Sequence, residues 1–471
     1  MMNNKINPYW YLAAGILLQT MIHMTFSLSI AAWIAYTPFL IFMYQTSGIK
    51  SRIWFVLALL VSWSLVTAKI ITPPLKFYFE FMYSIPMTLV QIPGYLIWDR
   101  FKARRFGYLL FPAIMTIMEW IQYTFTPLAS WGIAAYTQND NLTILQTVSL
   151  FGMPGLSFII YWINISFTKA YLKNSHSIVT LSVPFVTLTV LLIFGAIRVN
   201  IYHSKSHDTL LVAAVGTTST VNGLPLPPER TEIKVRKTLF DDTKKAAKTG
   251  AKLIVWNEAA TYMLPENETS WKNDLKQLAK DCHTSIYASY IVPISTNPLK
   301  YENKYLFLDK NGLIKAEYHK HEPVPGEPAV KGKENFITNT VDYTVTGGAI
   351  CYDYDFPYIA KQFSKLNADI IAVPSSDWRG IDPVHTKMAA YRAIEQGHSI
   401  LRSTRFGSSA AINPMGEMVS QMSSFNSNNR LLLASLPAKG LTTVYSILGD
   451  LLIYALLILV FVLFLLEEKR K

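Results

Sequence analysis

Charged side chains are scarce in this 471-residue chain, because Asp, Glu, Lys and Arg together make up 16%, against about a quarter in ordinary soluble domains. Hydrophobic residues reach 51%, and the run Tyr9–Tyr44 contains no Asp, Glu, Lys or Arg. This composition excludes a chain that is water-soluble throughout and favours an integral membrane protein. The polar residues concentrate in 204–440, which has the composition of one large extramembrane domain.

Cysteine is nearly absent, and the chain has only Cys282 and Cys351. Two cysteines exclude a disulfide framework, although a single bridge between them stays open. The surroundings of Cys351, at the end of an apolar and β-prone run, favour a free thiol with a chemical role. Cys282 ends a predicted helix, and a structural role is the better interpretation there.

A basic patch interleaved with aromatic residues is also missing, despite a net charge of +12, and we therefore exclude a nucleic-acid surface. The basic residues lie mostly in short loops between apolar runs, where they indicate membrane topology. With the N-terminus in the cytoplasm, only Lys69 and Lys76 fall in short outer loops. The basic residues placed inside are far more numerous: Lys5, Lys50, Arg52, Arg100, Lys102, Arg104, Arg105, Lys169, Lys173, Lys469, Arg470 and Lys471.

The apolar runs predict about eight membrane-spanning helices. As one helix, Tyr9–Tyr44 would be about 54 Å long, whereas a bilayer core is about 30 Å thick, so we predict a hairpin that breaks near Thr25–Ser29. The other predicted spans are about 53–72, 82–98, 108–127, 151–171, 178–197 and 444–466. The predicted domains are therefore a membrane domain (1–203, about seven spans), an extracytoplasmic domain (204–440) and a last span with a cytoplasmic tail (441–471).

Strand-like and helix-like segments alternate in 204–440, which favours an α/β sandwich. The predicted strands are 210–215, 252–256, 285–292, 305–308, 313–318, 343–350, 368–373 and 408–412. The predicted helices are 229–249, 271–281 and 385–396. The Pro- and Gly-rich stretch 222–228 is predicted to be a mobile flap.

Three of these strands end in residues that suit acyl transfer, namely Glu258, Lys320 and Cys351. A cysteine nucleophile needs a thiolate, a group that takes its proton, and donors for an oxyanion. None of the nine histidines stands in a pattern that marks it as the partner of Cys351, and His385 is interpreted as a structural histidine. The alternative interpretations are a buried hydrophobe for Cys351, a helix N-terminal acid for Glu258 and a solvated lysine for Lys320.

Several motifs in both parts of the chain resemble one family. Trp256-Asn257-Glu258-Ala259-Ala260, the Lys320 segment and Ile350-Cys351-Tyr352 resemble the three signatures of the nitrilase (carbon–nitrogen hydrolase) superfamily. The membrane-part and downstream motifs are similar to the apolipoprotein N-acyltransferase family, and they are Glu119-Trp120, Ser130-Trp131-Gly132, Tyr136-Thr137-Gln138, Gly152–Phe158, Trp378, Gly380, Pro383, His385, Met388-Ala389, Arg392–Glu395, Leu401–Thr404 and Asn413–Gly416.

The resemblance implies a four-layer αββα sandwich joined to an eight-span membrane domain in the bacterial cytoplasmic (inner) membrane, with the catalytic domain on the periplasmic face. It implies that Cys351 carries a fatty acyl chain from a phospholipid as a thioester, that Glu258 is the general base and that Lys320 stabilises the oxyanion. The acceptor would be the α-amine of a diacylglyceryl-cysteine lipoprotein. Neither a cofactor nor a metal is implied, and a monomer is expected.

Four further residues are candidates for support or substrate binding: Glu327, Asp353, Trp378 and Trp131. Glu327 lies in a segment, Glu322–Glu327, that is one residue shorter than the family pattern, and Asp353 stands where the family has Glu. Arg405-Phe406-Gly407 replaces an Asn-Asn-Gly of the family. Open alternatives are a membrane-tethered carbon–nitrogen hydrolase or amidase, the same fold with a different amine acceptor, and a binding platform without turnover.

Overall fold

The structure of the protein is a computed structural model that describes residues 7–104, 106–172, 177–221 and 225–468. The chain divides into two compact units, Met1–Tyr202 with Ile447–Lys471, and His203–Ser446. Several residues used above lie outside the described residues: Lys5, Arg105, Lys173, Lys469, Arg470 and Lys471 of the topology argument, and residues 222–224 of the predicted flap.

Helices build the first unit, as the long apolar runs require. They are α1 (Tyr9–Ile22), α2 (Thr37–Gln45), α3 (Ile49–Ala68), α4 (Phe79–Phe101), α5 (Gly107–Phe125), α6 (Leu142–Leu145), α7 (Val148–Tyr171) and α8 (Ser177–His203). The chain returns to this unit through α14 (Leu451–Glu468). Short 3₁₀ turns occupy Ser29–Trp33 and Ala134–Gln138.

The first apolar run is broken, as the hairpin prediction requires, because α1 ends at Ile22 and α2 begins at Thr37. Asn164 of α7 satisfies the backbone exposed by the break, since its Oδ1 accepts from the amides of Tyr36 (2.9 Å) and Thr37 (3.2 Å). Backbone polar groups at membrane depth need such internal partners.

Three of the described helices are long and apolar enough to cross a membrane: Ile49–Ala68, Val148–Tyr171 and Leu181–His203. The helices α1 and α2 have 14 and 9 residues, fewer than the roughly 20 that span a bilayer core. Eight of the described helices, α1 to α5, α7, α8 and α14, lie near the eight predicted membrane spans. The number of helices that cross the membrane stays a prediction.

Two six-stranded sheets form the second unit, and the predicted two-sheet nitrilase-like α/β architecture is confirmed. The first sheet has the order β12-β1-β2-β3-β4-β5, and the second has the order β11-β10-β9-β8-β7-β6. The strands are β1 (Thr209–Val215), β2 (Leu253–Trp256), β3 (Ser285–Thr296), β4 (Leu299–Leu308), β5 (Ile314–His319), β6 (Asn339–Val341), β7 (Thr344–Gly348), β8 (Ile370–Ser376), β9 (Ser399–Arg405), β10 (Ser408–Ile412), β11 (Met418–Ser423) and β12 (Leu431–Pro437).

The helices of this unit are α9 (Glu229–Lys248), α10 (Glu268–Cys282), α11 (Pro357–Lys365) and α12 (Val384–Gln396), and α13 (Val444–Leu448) crosses the boundary to the first unit. The strands of the two sheets share one apolar core, to which Leu210, Val255, Tyr287, Ile370 and Leu401 all contribute. The strands β6, β9, β11 and β12 and the helix α11 were absent from the sequence-based expectation.

Close packing around the end of β7 explains the paired glycines before Cys351. A Cβ atom on Gly348 would lie 2.8 Å from the rings of Tyr287 and Tyr305, and one on Gly347 would lie 2.5 Å from Phe363. The Tyr305 hydroxyl donates to the Gly348 carbonyl at 2.9 Å. The end of β7 can therefore approach the first sheet only without a side chain at Gly348, and it packs against α11 only without one at Gly347.

Candidate active site

Glu258, Lys320 and Cys351 each follow the end of a strand. Glu258 comes just after β2 and Lys320 directly after β5, both in the first sheet, whereas Cys351 comes just after β7 in the second sheet. All three side chains are buried, with 4%, 1% and 4% of their surface exposed. The two sheets thus bring an acid, a cation and a thiol to one buried site.

Lys320 is held between two carboxylates. Its Nζ donates to Glu258 Oε1 at 2.7 Å and to Glu327 Oε2 at 2.7 Å. Asn303 Nδ2 donates to the same two carboxylates, at 2.7 and 3.0 Å. Burial alone would lower the pKa of Lys320, but Glu258 and Glu327 outweigh burial and raise it well above its ordinary value. The lysine is therefore cationic and fixed in place.

An ammonium has three N–H donors, and two of those of Lys320 are used by the carboxylates. Among the described residues, no acceptor takes the third. Glu258 Oε2 likewise accepts no hydrogen bond from any described residue, since the two bonds to this carboxylate go to Oε1. One donor and one acceptor at this site therefore have no partner among the described residues.

Glu327 reaches the site although its segment is one residue short. Beyond Lys320 and Asn303, it accepts from the amide of Val324 at 2.9 Å and from the hydroxyl of Tyr301 at 3.4 Å. Burial would raise the pKa of Glu327, but Lys320 prevails and lowers it. The shortened loop therefore still places Glu327 against Lys320. It does so by forming a turn, in which the Glu327 side chain accepts from the backbone amide of Val324, three residues earlier.

Cys351 is loosely held by comparison. Its one described hydrogen bond runs from Sγ to the carbonyl of Ser376 at 3.7 Å. Its backbone is left-handed, with φ 49°, at the start of the 3₁₀ turn Cys351–Asp355. Burial raises the pKa of the thiol well above its ordinary value, and the charge of Glu258 raises it further while Lys320 opposes them. The resting group is a thiol, and a base must deprotonate it before attack.

Asp353 anchors the turn that carries Cys351. Its carboxylate accepts from the amide of Ile350 (3.0 Å), the amide of Glu322 (2.6 Å) and the hydroxyl of Tyr318 (2.8 Å). Burial raises the pKa of Asp353 to about 6, against the opposing effect of Lys320 and these donors. Asp353 therefore joins the nucleophile turn to the residues on both sides of Lys320.

A second buried charge network lies beside the thiol, and motif spacing did not reveal it. His385 bridges two acids, with Nδ1 2.8 Å from Asp377 Oδ1 and Nε2 3.1 Å from Asp355 Oδ1. Arg402 donates to both oxygens of Asp377, at 2.8 and 3.0 Å. His385 is thus a structural histidine with buried partners, as expected. Asp355 ends the turn that Cys351 begins, so the network holds that turn from the opposite side.

Cys351, Asp377 and His385 place their possible ligand atoms within 4.8 Å of one another. The Arg402 guanidinium, however, already binds both oxygens of Asp377 and lies 2.9 Å from His385 Nδ1. Burial would lower the pKa of His385, but Asp355 and Asp377 outweigh it and raise it to about 9. A protonated imidazole beside a guanidinium is a poor cation site, so this donor set favours a charge network over a metal.

Trp378 and Trp131 are the remaining candidates. Trp378 is half-buried and follows Asp377 directly, ahead of the 3₁₀ turn Arg379–Ile381. Trp131 belongs to the other compact unit, where it is buried and its carbonyl accepts from Gln122 Nε2 at 2.7 Å. Roles for both residues stay predictions. Sequence reasoning missed Asn303, because a polar residue within a strand such as β4 belongs to no motif. The only available signal was that side chains alternate between the two faces of a strand, which could have placed Asn303 on the face toward the site.

Comparison with known protein families matches both parts of the chain. Residues 211–444 match the carbon–nitrogen hydrolase model, and residues 14–166 match the model of the apolipoprotein N-acyltransferase N-terminal domain. The chain belongs to the apolipoprotein N-acyltransferase family. The match of residues 14–166 thus identifies the family, and the match of residues 211–444 places it within the carbon–nitrogen hydrolase superfamily.

Curated relatives named apolipoprotein N-acyltransferase extend along most of the chain. The protein of Borreliella burgdorferi is 24% identical over 374 residues, which cover 70% of this chain and 69% of the relative. That of Rickettsia typhi is 25% identical over 429 residues, or 81% of this chain and 84% of the relative. An amidase structure from Nesterenkonia sp. is 16% identical with a TM-score of 0.40, covering 50% of this chain and 93% of the amidase, and it adds nothing to the fold already described.

Proposed function

We propose that this protein N-acylates lipoproteins, moving a fatty acyl chain from a membrane phospholipid to the amine of a diacylglyceryl-cysteine N-terminus through a thioester on Cys351. The reaction class is supported by the match of residues 14–166 to the apolipoprotein N-acyltransferase N-terminal domain and by the curated relatives of that name. The observation that carries the mechanism is the contact of Lys320 with Glu258 at 2.7 Å in a buried site that also holds Cys351.

In the first half-reaction, Glu258 accepts the Cys351 proton and the sulfur attacks the ester carbonyl of the phospholipid. The free N–H of Lys320 stabilises the oxyanion of the tetrahedral intermediate. When the intermediate collapses, the C–O bond breaks and Glu258 returns the proton to the lysophospholipid alkoxide. Cys351 is left as a thioester, and Glu258 is again a carboxylate.

In the second half-reaction, the lipoprotein amine attacks the thioester carbonyl and gives a proton to Glu258. The C–S bond breaks, the amide forms, and the proton returns to the thiolate. Glu327 and Asn303 touch no reacting atom in this scheme. They keep Lys320 and Glu258 in one geometry through both steps, because each bonds a member of that pair.

We infer that the reaction takes place at the bacterial cytoplasmic membrane, with the catalytic domain on the periplasmic face. The distribution of basic residues supports this orientation, since Lys69 and Lys76 alone fall in short outer loops. Both proposed substrates are amphiphiles, which accounts for a hydrolase-like domain joined to apolar helices. The protein acts as a monomer and needs neither a cofactor nor a metal in this proposal.

Purified full-length protein in detergent, supplied with phospholipid and a diacylated lipopeptide, tests the proposal by mass spectrometry. The expected product is the triacylated lipopeptide, formed through an enzyme that is heavier by one acyl chain on Cys351. The product and the mass shift should both vanish in Cys351→Ala and persist in Cys282→Ala. Free fatty acid in place of the triacylated product would instead indicate a hydrolase, and no acyl-enzyme at all would indicate a binding platform.

A further inference from the structure

Arg405 is fully engaged at the end of β9. Its side chain is 2% exposed, and each of its three guanidinium nitrogens donates a hydrogen bond. Nε donates to Ser376 Oγ at 2.9 Å and Nη1 donates to the Ser219 carbonyl at 2.8 Å. Nη2 donates to the Val221 carbonyl. One side chain thereby fastens the segment that follows β1 to the end of β8.

A buried acid holds the same segment from its other side. Ser219 Oγ donates to Glu232 Oε1 at 3.0 Å, and Thr261 Oγ1 donates to Glu232 Oε2 at 2.7 Å. Glu232 is 1% exposed. Thr261 lies three residues after Glu258, in the loop that carries the proposed base. The chain of contacts from Arg405 through Ser219 and Glu232 to Thr261 is called the Arg405 brace below.

The brace begins and ends beside the proposed catalytic groups. At its Arg405 end, the carbonyl oxygen of Ser376 accepts a hydrogen bond from Cys351 Sγ at 3.7 Å. At its Thr261 end, the loop returns to Glu258, whose amide donates to the Ser375 carbonyl at 3.3 Å. The base loop and the nucleophile end of the second sheet are therefore joined twice, once through backbone and once through the brace.

Apolar packing extends the brace toward the third member of the site. Val221 packs in a small buried cluster with Ala259, Tyr262, Ile291 and Tyr301. The Tyr301 hydroxyl donates to Glu327 at 3.4 Å. Because Arg405 holds the Val221 carbonyl, it also limits the movement of the wall against which Tyr301 and Glu327 rest.

We propose that Arg405 is a positioning residue, which braces Ser219–Val221 against Ser376 and so fixes the loop of Glu258 relative to Cys351. The proposal rests on the acyl-transfer function inferred above. Arg405 touches no substrate and moves no proton in this role. It acts through geometry, since a misplacement of about 1 Å of a catalytic group can cost about 100-fold in rate.

Two variants separate the geometry of Arg405 from its charge. Arg405→Gln removes the charge, and its single side-chain NH₂ group replaces the two guanidinium nitrogens that donate to the carbonyls of Ser219 and Val221. Arg405→Lys keeps the charge, but a compact ammonium has no planar fork to span Ser219, Val221 and Ser376 together. Arg236→Gln is the matched control, because Arg236 also donates to a backbone carbonyl, that of Tyr262 at 3.3 Å, but takes no part in the brace.

Three quantities are measured on full-length protein in detergent: the rate of acyl transfer, the rate at which iodoacetamide alkylates Cys351, and the thermal unfolding midpoint. We expect Arg405→Gln to lower kcat about 100-fold with KM for phospholipid unchanged. Arg405→Lys should alkylate at the parent rate, because the charge near Cys351 is kept, yet transfer at least about tenfold more slowly. Arg236→Gln should match the parent in transfer and in alkylation.

Adding Glu232→Gln to Arg405→Gln should cost nothing further, because residues in one network have non-additive effects. Full transfer in Arg405→Lys would overturn the brace in favour of a charge effect. Parent-like transfer in folded Arg405→Gln, or losses that only follow the folded fraction, would overturn it as well. If the parent forms no acyl-enzyme, the proposed function fails. The brace is then tested by hydrogen exchange of the Glu258 amide, which donates to the Ser375 carbonyl. Exchange should be faster in Arg405→Lys than in the parent, and an unchanged rate would overturn the brace separately.

Discussion

The two sheets place the proposed catalytic groups in opposite kinds of environment. On the first sheet, Lys320 has two carboxylate partners at 2.7 Å, and Asn303 ties those partners together. On the second sheet, the Cys351 sulfur has one described contact, at 3.7 Å, while the turn around it is anchored through Asp353 and its far end. The Glu258–Lys320 pair is thus held by several hydrogen bonds. The backbone turn of Cys351 is also well anchored, but its sulfur makes only one weak hydrogen bond and can move away from it.

This difference suits a nucleophile that must bind and release an acyl chain in every cycle. A sulfur locked by strong hydrogen bonds would lose them at each attack, and that loss would add to the barrier. Preorganised charge on the other sheet has the opposite requirement, because it lowers the barrier only if it does not rearrange. Variants that loosen the first sheet should therefore cost more than variants that loosen the anchors of the second.

Lys320→Met should have the largest effect, because it leaves Glu258 and Glu327 buried without their shared cation. We expect transfer to fall below detection and the unfolding free energy to drop by about 3–5 kcal/mol. Acyl transfer and thermal unfolding in detergent measure the two losses. The matched control is Lys272→Met, which breaks half-exposed ion pairs with Glu268 and Glu317 and should change stability by less than about 1 kcal/mol.

Glu258→Gln comes next, because a neutral amide keeps an acceptor for Lys320 but takes no proton. The expected loss in kcat is about 10²- to 10⁴-fold, with an unfolding midpoint close to that of the parent. Glu327→Gln is the comparison variant, and its loss should be smaller since Glu327 supports Lys320 and touches no reacting group. Equal losses for the two variants would contradict the assignment of Glu258 as the base.

Asp353→Asn should weaken the nucleophile turn moderately. The amide keeps one oxygen for three donors, those of Ile350, Glu322 and Tyr318, so at least one buried donor loses its partner. We expect acyl-enzyme formation to slow about tenfold. Formation of the Cys351 thioester, followed by intact-protein mass spectrometry, measures the effect, and a loss as large as that of Glu258→Gln would remove the distinction between the two sheets.

His385→Gln should give the smallest effect on turnover and a pH-dependent effect on stability. The pKa of His385 is raised from 6.5 to about 9, with Asp355 and Asp377 outweighing burial. The resulting stabilisation, about 3 kcal/mol, is complete below pH 6.5 and is lost as the pH rises through 9. Unfolding of parent and variant should therefore differ most near pH 6 and converge near pH 10, and a constant difference would contradict the imidazolium bridge.

The sequence was sufficient to predict that Glu258, Lys320 and Cys351 each follow a strand, because each comes after an apolar run in a chain whose strands and helices alternate. It was not sufficient for Asn303, Asp377 or Arg402. Their partners lie far away along the chain, and which buried groups meet is decided by the packing of the two sheets. For instance, α12 separates Asp377 along the chain from Arg402 in β9, and only the folded structure brings these two side chains together.

The membrane part shows a different limit. Apolar runs predict where helices form, and eight helices stand near the predicted positions. Their lengths depend on where the backbone breaks. Here a remote side chain, Asn164, stabilises the start of α2 by accepting from the amides of Tyr36 and Thr37. Hydropathy contains no information about such a contact. The extent of α1 and α2, and with it the count of crossings, therefore could not be derived from the runs alone.

The left-handed backbone at Cys351 restricts which nucleophiles this architecture can ever use. A φ of 49° crowds any side chain that branches at Cβ, so threonine is sterically disfavoured at this turn, whereas serine fits it as cysteine does. Directed evolution from this scaffold therefore has one conservative exchange open to it, from sulfur to oxygen. A route to a threonine enzyme would first have to rebuild the turn itself.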